Sequence, residues 1–304
     1  MAHEIRQEKK LIYTLENELF KVEVSTKGAE IQSFVRKSDL SNVVWKGSED
    51  VWKFHAPLLF PFIGRCVNGY FDIEGVRAEY SKNHGFARDV EHSVIESDST
   101  HVKLELREND ELLKVFPYRF SLVTEYILKG NTLEWKTEVR NLDSKTFGFN
   151  FGTHTAFACN PYDVTIEFEK KSPLRGIKTT EEGYLAPLVN CQPDSYVYGE
   201  KNPGIVTVPS EGFGNGHILF NNASDYVELS EKATGRKVRI GCKGFPYVML
   251  WQNTKGSPQF VCIEPWFGLP DSGETDNCWE HKFGQYYVGK GKSFTSSQNI
   301  TVIK

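Results

Sequence analysis

The chain has 304 residues, 25% of them charged, with a net charge of −4 and a pI of about 6.1. Acidic and basic side chains are interspersed along its whole length, so no basic stripe can neutralise a row of phosphates, and nucleic acid is excluded as the expected partner. The longest apolar run, residues 56–64, contains two prolines and is too short to span a bilayer, so no membrane partner is expected either.

At the start, MAHEIRQEKK carries charge with no apolar stretch behind it, which argues against a secretory signal or an anchor, and a cytoplasmic location is expected. Leu19 to Ser25 (LFKVEVS) then alternates apolar and polar residues, as a half-buried strand does. His101 to Arg107 (HVKLELR) repeats the pattern. A single short helical stretch follows at Asp110 to Val115 (DELLKV), stopped before Pro117. Tyr126 to Val139 reads as a hairpin turning at Gly130 and Asn131, and Val164 to Phe168 (VTIEF) as another strand. Farther on, Ala233 to Arg236 separates YVELS from KVRIG as a second hairpin turn.

Many short strands without intervening helices predict an all-β chain, a large antiparallel β-sandwich with few short helices. No linker, composition shift or internal repeat divides it, so residues 1–304 are read as one domain. The six cysteines are scattered without a CxxC pair and are expected to be reduced and mostly buried. No two histidines stand at the HxH, HxxH or HxxxH separations of a compact metal site, so no metal is expected.

Four clusters join ionisable side chains to turn residues and aromatics: FPFIGR ending at Arg65, NHGFARD from Asn83 to Asp89, NFGTHTAF from Asn150 to Phe157, and CIEPWFGLPD from Cys262 to Asp271. Each is expected to place a polar side chain at a strand end. Glu264 follows the apolar QFVCI and precedes Pro265, which restricts it to extended backbone. A carboxylate beside Trp266 on such a strand is desolvated, and its raised pKa suits a base near neutral pH. The alternative is an ion-paired acid at a strand end. His154, among Phe149, Phe151 and Phe157, faces either a cleft wall or the core, and a satisfied structural histidine is its alternative reading. His84 carries the same alternative. Arg65 reads either as a surface cation or as the partner of an acid or ligand.

With these motifs in hand, the chain resembles the aldose 1-epimerase superfamily, in particular its lactose-operon-type branch. The resemblance runs in order through LENELFKVEVSTKGAEIQSF, VWKFHAPLLFPFIGR, HGFARD, FGTHTAF and CIEPWFGLPD, over nearly the whole chain. It implies a two-sheet sandwich with a cleft across one concave face, and opening of a sugar ring by acid/base catalysis without metal or organic cofactor. Glu264 is then the general base at the C1 hydroxyl and His154 the general acid at the ring oxygen. Arg65 and His84 hold sugar hydroxyls, and Trp266 lies against an apolar sugar face. Arg88, with Lys82 near it and Asp89 opposing, matches a phosphate-binding position of hexose-phosphate epimerases in the superfamily. The mid-chain aspartate of many members is replaced by Asn215 or His217 in GFGNGHILF. A small-molecule sugar is thus the expected partner, its identity and the oligomeric state being open. A hexose-phosphate epimerase and a non-catalytic sugar-binding protein are the alternative functions.

Overall fold

Alternating side chains dictate the architecture, because each strand has one face to bury and must find another sheet to bury it against. The computed structural model describes residues 11–210, 212–213, 216–253 and 259–303. Asn215 lies outside the described residues. Two large antiparallel sheets dominate. One has nine strands, running from Ile205–Thr207 at one edge through Val164–Phe168, Tyr226–Glu231, Lys237–Gly241, Ser293–Val302, Thr132–Asn141, Phe120–Lys129 and His101–Arg107 to Ser93–Ser97 at the other. The second has eight, with Tyr247–Trp251 and Phe260–Phe267 at its centre and Ser195–Tyr198 and Leu58–Leu59 at its edges.

Between the sheets lies the main core. Val102, Leu104 and Leu106 point inward from one sheet, every second residue of their strand, and Val248, Leu250, Val261 and Ile263 meet the same cluster from the other. That cluster draws on residues from Leu15 to Val302, so both ends of the described chain are tied into it. The expected all-β sandwich is present.

The local expectations are met as well. The hairpin pairs Phe120–Lys129 with Thr132–Asn141, Lys129 opposite Thr132, and Tyr226–Glu231 pairs with Lys237–Gly241. The helix spans Asp110–Val115, and the Asn109 side chain caps it by accepting hydrogen bonds from the Glu111 and Leu112 N–H groups at 3.1 and 2.9 Å. Among the described residues no helix is long and apolar enough to cross a membrane. All six cysteines are free; Cys66, Cys242 and Cys262 are buried, whereas Cys159 and Cys278 are half-buried and Cys191 is exposed, so burial covers only half of them.

Candidate active site

Every residue of Phe260–Phe267 is buried, because both faces of this strand are covered. Val261, Ile263 and Phe267 join the core between the sheets, while Phe260, Cys262, Glu264 and Trp266 point to the opposite face. Glu264 therefore sits inside a strand that continues past Pro265, and the expectation of a strand-end acid is corrected. On one side the neighbouring strand sets Met249 opposite Glu264 and Trp251 opposite Cys262. One strand farther, His217 stands opposite Trp251.

The other neighbour is the FGTHTAF segment. Gly152 pairs with Trp266 and Thr155 with Ile263, and the same register carries His154 opposite Glu264. The ladder breaks at that point, across from Pro265, and the His154 backbone N–H donates instead to the Pro57 carbonyl at 3.1 Å. Thr153 faces the core, where its hydroxyl donates to Gln298 Oε1 at 2.8 Å, which turns His154 to the cleft side. Gly152 is demanded by this packing: a Cβ there would stand 2.5 Å from Trp266 Cδ1.

His84 reaches the same place from a loop. Its φ of 67° is followed by Gly85 at 69°, where a side chain would run into the Phe60 carbonyl. The His84 backbone N–H donates to the Gly64 carbonyl at 2.7 Å, and the Gly64 N–H donates to His84 Nδ1 at 3.1 Å. With Nδ1 accepting, the neutral ring carries its proton on Nε2 and can donate there. The His84 and His154 rings meet edge to face at 5.4 Å. Trp52 stacks on His154 from another side, centroids 5.0 Å apart and planes 28° apart.

Together these side chains enclose a cleft of about 320 Å³, within the range that binds small molecules. Glu264 and His154 form its floor, 1% and 7% exposed, with His154 Nε2 3.3 Å from Glu264 Oε1. Neither carboxylate oxygen, nor His154 Nδ1, has a hydrogen-bond partner of good geometry among the described residues. Buried polar atoms left in this way are costly without a ligand to satisfy them.

Burial controls the charges. It pushes the Glu264 carboxyl well above the usual carboxylate range, with the Trp266 indole N–H pulling weakly the other way. Burial first, and the Arg88 cation second, press the His154 imidazole down to about 3. His84 is lowered for the same two reasons. Both burial effects disfavour the charged forms, and the titration of Glu264 and His154 belongs to the pair rather than to either residue.

The buried histidines also set the acid stability. His92, held down to about 4 by burial, joins His84 and His154 in staying neutral when folded, whereas unfolded histidines take up protons below about 6.5. Unfolding therefore binds protons as pH falls from 6.5 toward 4, and stability falls with it, offset in part by Glu264 and Asp271, whose raised values have the opposite sign. Calorimetry is expected to show a melting temperature that declines through this window, with a smaller decline in His92→Gln.

Arg65, exposed, and Arg88, only 8% exposed, both line the cleft, as does Trp266. Arg88 is already engaged: it donates to the Asn83 carbonyl at 2.8 Å and to Asn83 Oδ1 at 3.0 Å, and lies 4.5 Å over the Phe54 ring. Lys82 pairs with Asp89 at 3.2 Å. Trp266 is just 2% exposed, so the open aromatic walls are Trp52, Phe54 and Trp251, which sequence reading missed. Glu181 and Glu182, on a turn at the rim, were missed too, and the Glu182 carboxylate feels the Arg65 cation. His217 lines the cleft and shares a 2.8 Å hydrogen bond with Thr179 Oγ1.

Comparison with known proteins bears on the family and the fold. The profile of the aldose 1-epimerase family matches residues 11–287. Protein LacX of Lactococcus lactis, in its plasmid-borne form, is 28% identical over 280 residues, 88% of this chain and 91% of its own. A galactose mutarotase related enzyme from Lactobacillus acidophilus superposes with a TM-score of 0.87 at 26% identity, covering 97% of this chain and 98% of its own. A galactose mutarotase-like protein from Lactobacillus casei superposes at 0.86, again 26% identical, over 96% of this chain and 100% of its own. With its sandwich, its cleft and a match over most of its length, the chain belongs to the aldose 1-epimerase family.

Proposed function

We propose that this protein interconverts the α and β anomers of a hexose by opening and reclosing the pyranose ring. The observation that carries the reading is the 3.3 Å approach of His154 Nε2 to Glu264 Oε1 on the floor of the cleft. Mutarotation removes a proton from the anomeric hydroxyl and delivers one to the ring oxygen, and both oxygens hang on one carbon. The acid and the base must therefore stand side by side.

In the forward half, the Glu264 carboxylate takes the hydroxyl proton while protonated His154 gives its proton to the ring oxygen as the bond from C1 to that oxygen breaks. The open-chain aldehyde then turns about C1–C2. In the return half, His154 takes the proton back as the ring oxygen attacks the other carbonyl face, and Glu264 returns its own to the new anomeric hydroxyl. One proton resides on the pair before, between and after these steps. Burial favours it on Glu264, while the Trp266 indole and incoming sugar hydroxyls favour the ionised carboxylate. His84 Nε2–H and Arg65, both in the cleft lining, stabilise negative charge shared between the oxygens. A neutral hexose suits this cleft better than a phosphorylated one, since Arg88 is held by Asn83 and Phe54 and the carboxylates of Glu181 and Glu182 line the same cleft as Arg65.

Polarimetry of freshly dissolved α-glucose and α-galactose tests the proposal. A shortened approach to equilibrium supports it; unchanged rates alongside calorimetric binding would identify a sugar-binding protein instead. A pH profile adds a second check. Because Arg88 contributes to the low value of His154, Arg88→Met is expected to move the acid limb of kcat/KM to higher pH, and Arg88→Lys to leave it in place.

A further inference from the structure

We infer that the floor of the cleft is also a zinc site, in which His154, Glu264 and Cys262 bind a Zn²⁺ ion that shuts off the sugar reaction. One ligand atom from each of the three residues lies within 4.8 Å of the other two, and all three residues are buried. Two of them are on one strand: Cys262 and Glu264 are two residues apart in Phe260–Phe267, so their side chains leave the same face, and the register adds His154 from the next strand. The histidine spacings along the sequence give no hint of this, because the ligands meet across a sheet.

Geometry and chemistry both match the ion. Zinc bonds of about 2.0–2.3 Å to nitrogen, oxygen and sulfur at tetrahedral angles place its ligands about 3.3–3.8 Å apart, so side-chain movements of up to about 1 Å close the set. The mixture of imidazole, carboxylate and thiolate is a zinc-type set, and a fourth position opens on the cleft, as in zinc sites that keep a water. An independent observation points to a ligand here: both Glu264 oxygens are buried without a hydrogen-bond partner of good geometry among the described residues, as is His154 Nδ1.

Charge balances as well. The pair carries one proton and the Cys262 thiol another; Zn²⁺ replaces both, leaving carboxylate, thiolate and neutral imidazole around a dication. Two protons leave and the buried site stays neutral, which avoids the cost of an uncompensated buried charge. The metal occupies the lone pairs that the proposed reaction needs, so it inhibits by competing with the sugar.

The inhibition rests on the proposed function, whereas the binding does not, and the experiment separates them. Co²⁺ alone, added to the full chain, is expected to produce the near-ultraviolet absorption of a cobalt–thiolate bond. That band should persist in Cys278→Ala, which removes the thiol of the Asp276, Cys278 and His281 cluster nearer the surface, and disappear in Cys262→Ala. Zn²⁺ is expected to slow mutarotation reversibly by chelator, with Cys262→Ala keeping its basal rate and needing at least about 10-fold more Zn²⁺, since loss even of an outer partner costs that much. No band in the wild type, or a band unchanged in Cys262→Ala, overturns the site. Equal zinc sensitivity in wild type and Cys262→Ala overturns it too. If Cys262→Ala does not fold, the band in wild type and its fate in Cys278→Ala decide. A cobalt band with no mutarotation in the metal-free protein would leave the site standing and remove the proposed function.

Discussion

Glu264→Gln is expected to lower the catalysed rate of α-glucose mutarotation by about 10²- to 10⁴-fold, the usual contribution of a positioned acid or base. The substitution keeps the size and shape of the side chain in a strand where every residue is buried, so no cavity opens. It also keeps an acceptor oxygen for the Trp266 indole N–H and His154 Nε2, the polar groups beside the carboxylate. A melting temperature close to that of the wild type is therefore expected, and the lost rate is read as lost proton transfer. Polarimetry at saturating sugar places the loss in kcat, with KM little changed, because the amide still fills the floor of the cleft. A Glu264→Gln protein with unaltered kcat would remove Glu264 from the chemistry.

His154→Asn comes next in size, with a loss of about 10²- to 10⁴-fold by the same reasoning. Here some destabilisation accompanies the effect, because the imidazole is stacked on Trp52 and meets Trp251 edge-on. The sharper test is the double variant. If one proton passes between the two groups, each is useless without the other, and Glu264→Gln with His154→Asn should be no slower than the more impaired single variant. Losses that multiply would mean that the two act independently.

Much of this was legible in the residues. Apolar alternation located the strands, and Pro265 and Trp266 drew attention to Glu264 as a constrained, desolvated carboxylate, which is how it stands, 1% exposed. Two features resisted reading. Pro265 suggested a strand end, yet the strand runs on to Phe267; the broken ladder is tolerated because the His154 N–H finds the Pro57 carbonyl. The cleft aromatics were hidden for another reason: in YVMLW both faces are apolar, Val248 and Leu250 toward the core and Met249 and Trp251 toward the cleft, so periodicity alone cannot tell wall from core. Glu181 and Glu182 belong to a turn whose nearness to Arg65 depends on tertiary contacts, including the Leu185 N–H bonded to the Asp271 carbonyl at 2.9 Å. Likewise, the 110-residue separation of His154 and Glu264 is closed only by strand register.

A crystal structure with a hexose bound tests the proton-transfer pair most directly. The account predicts the anomeric carbon above the cleft floor, with a Glu264 oxygen within about 3 Å of the anomeric hydroxyl and His154 Nε2 within about 3 Å of the ring oxygen. A hexose held with its anomeric carbon out of reach of both, turned toward Arg65 and Glu182 at the rim, would contradict it.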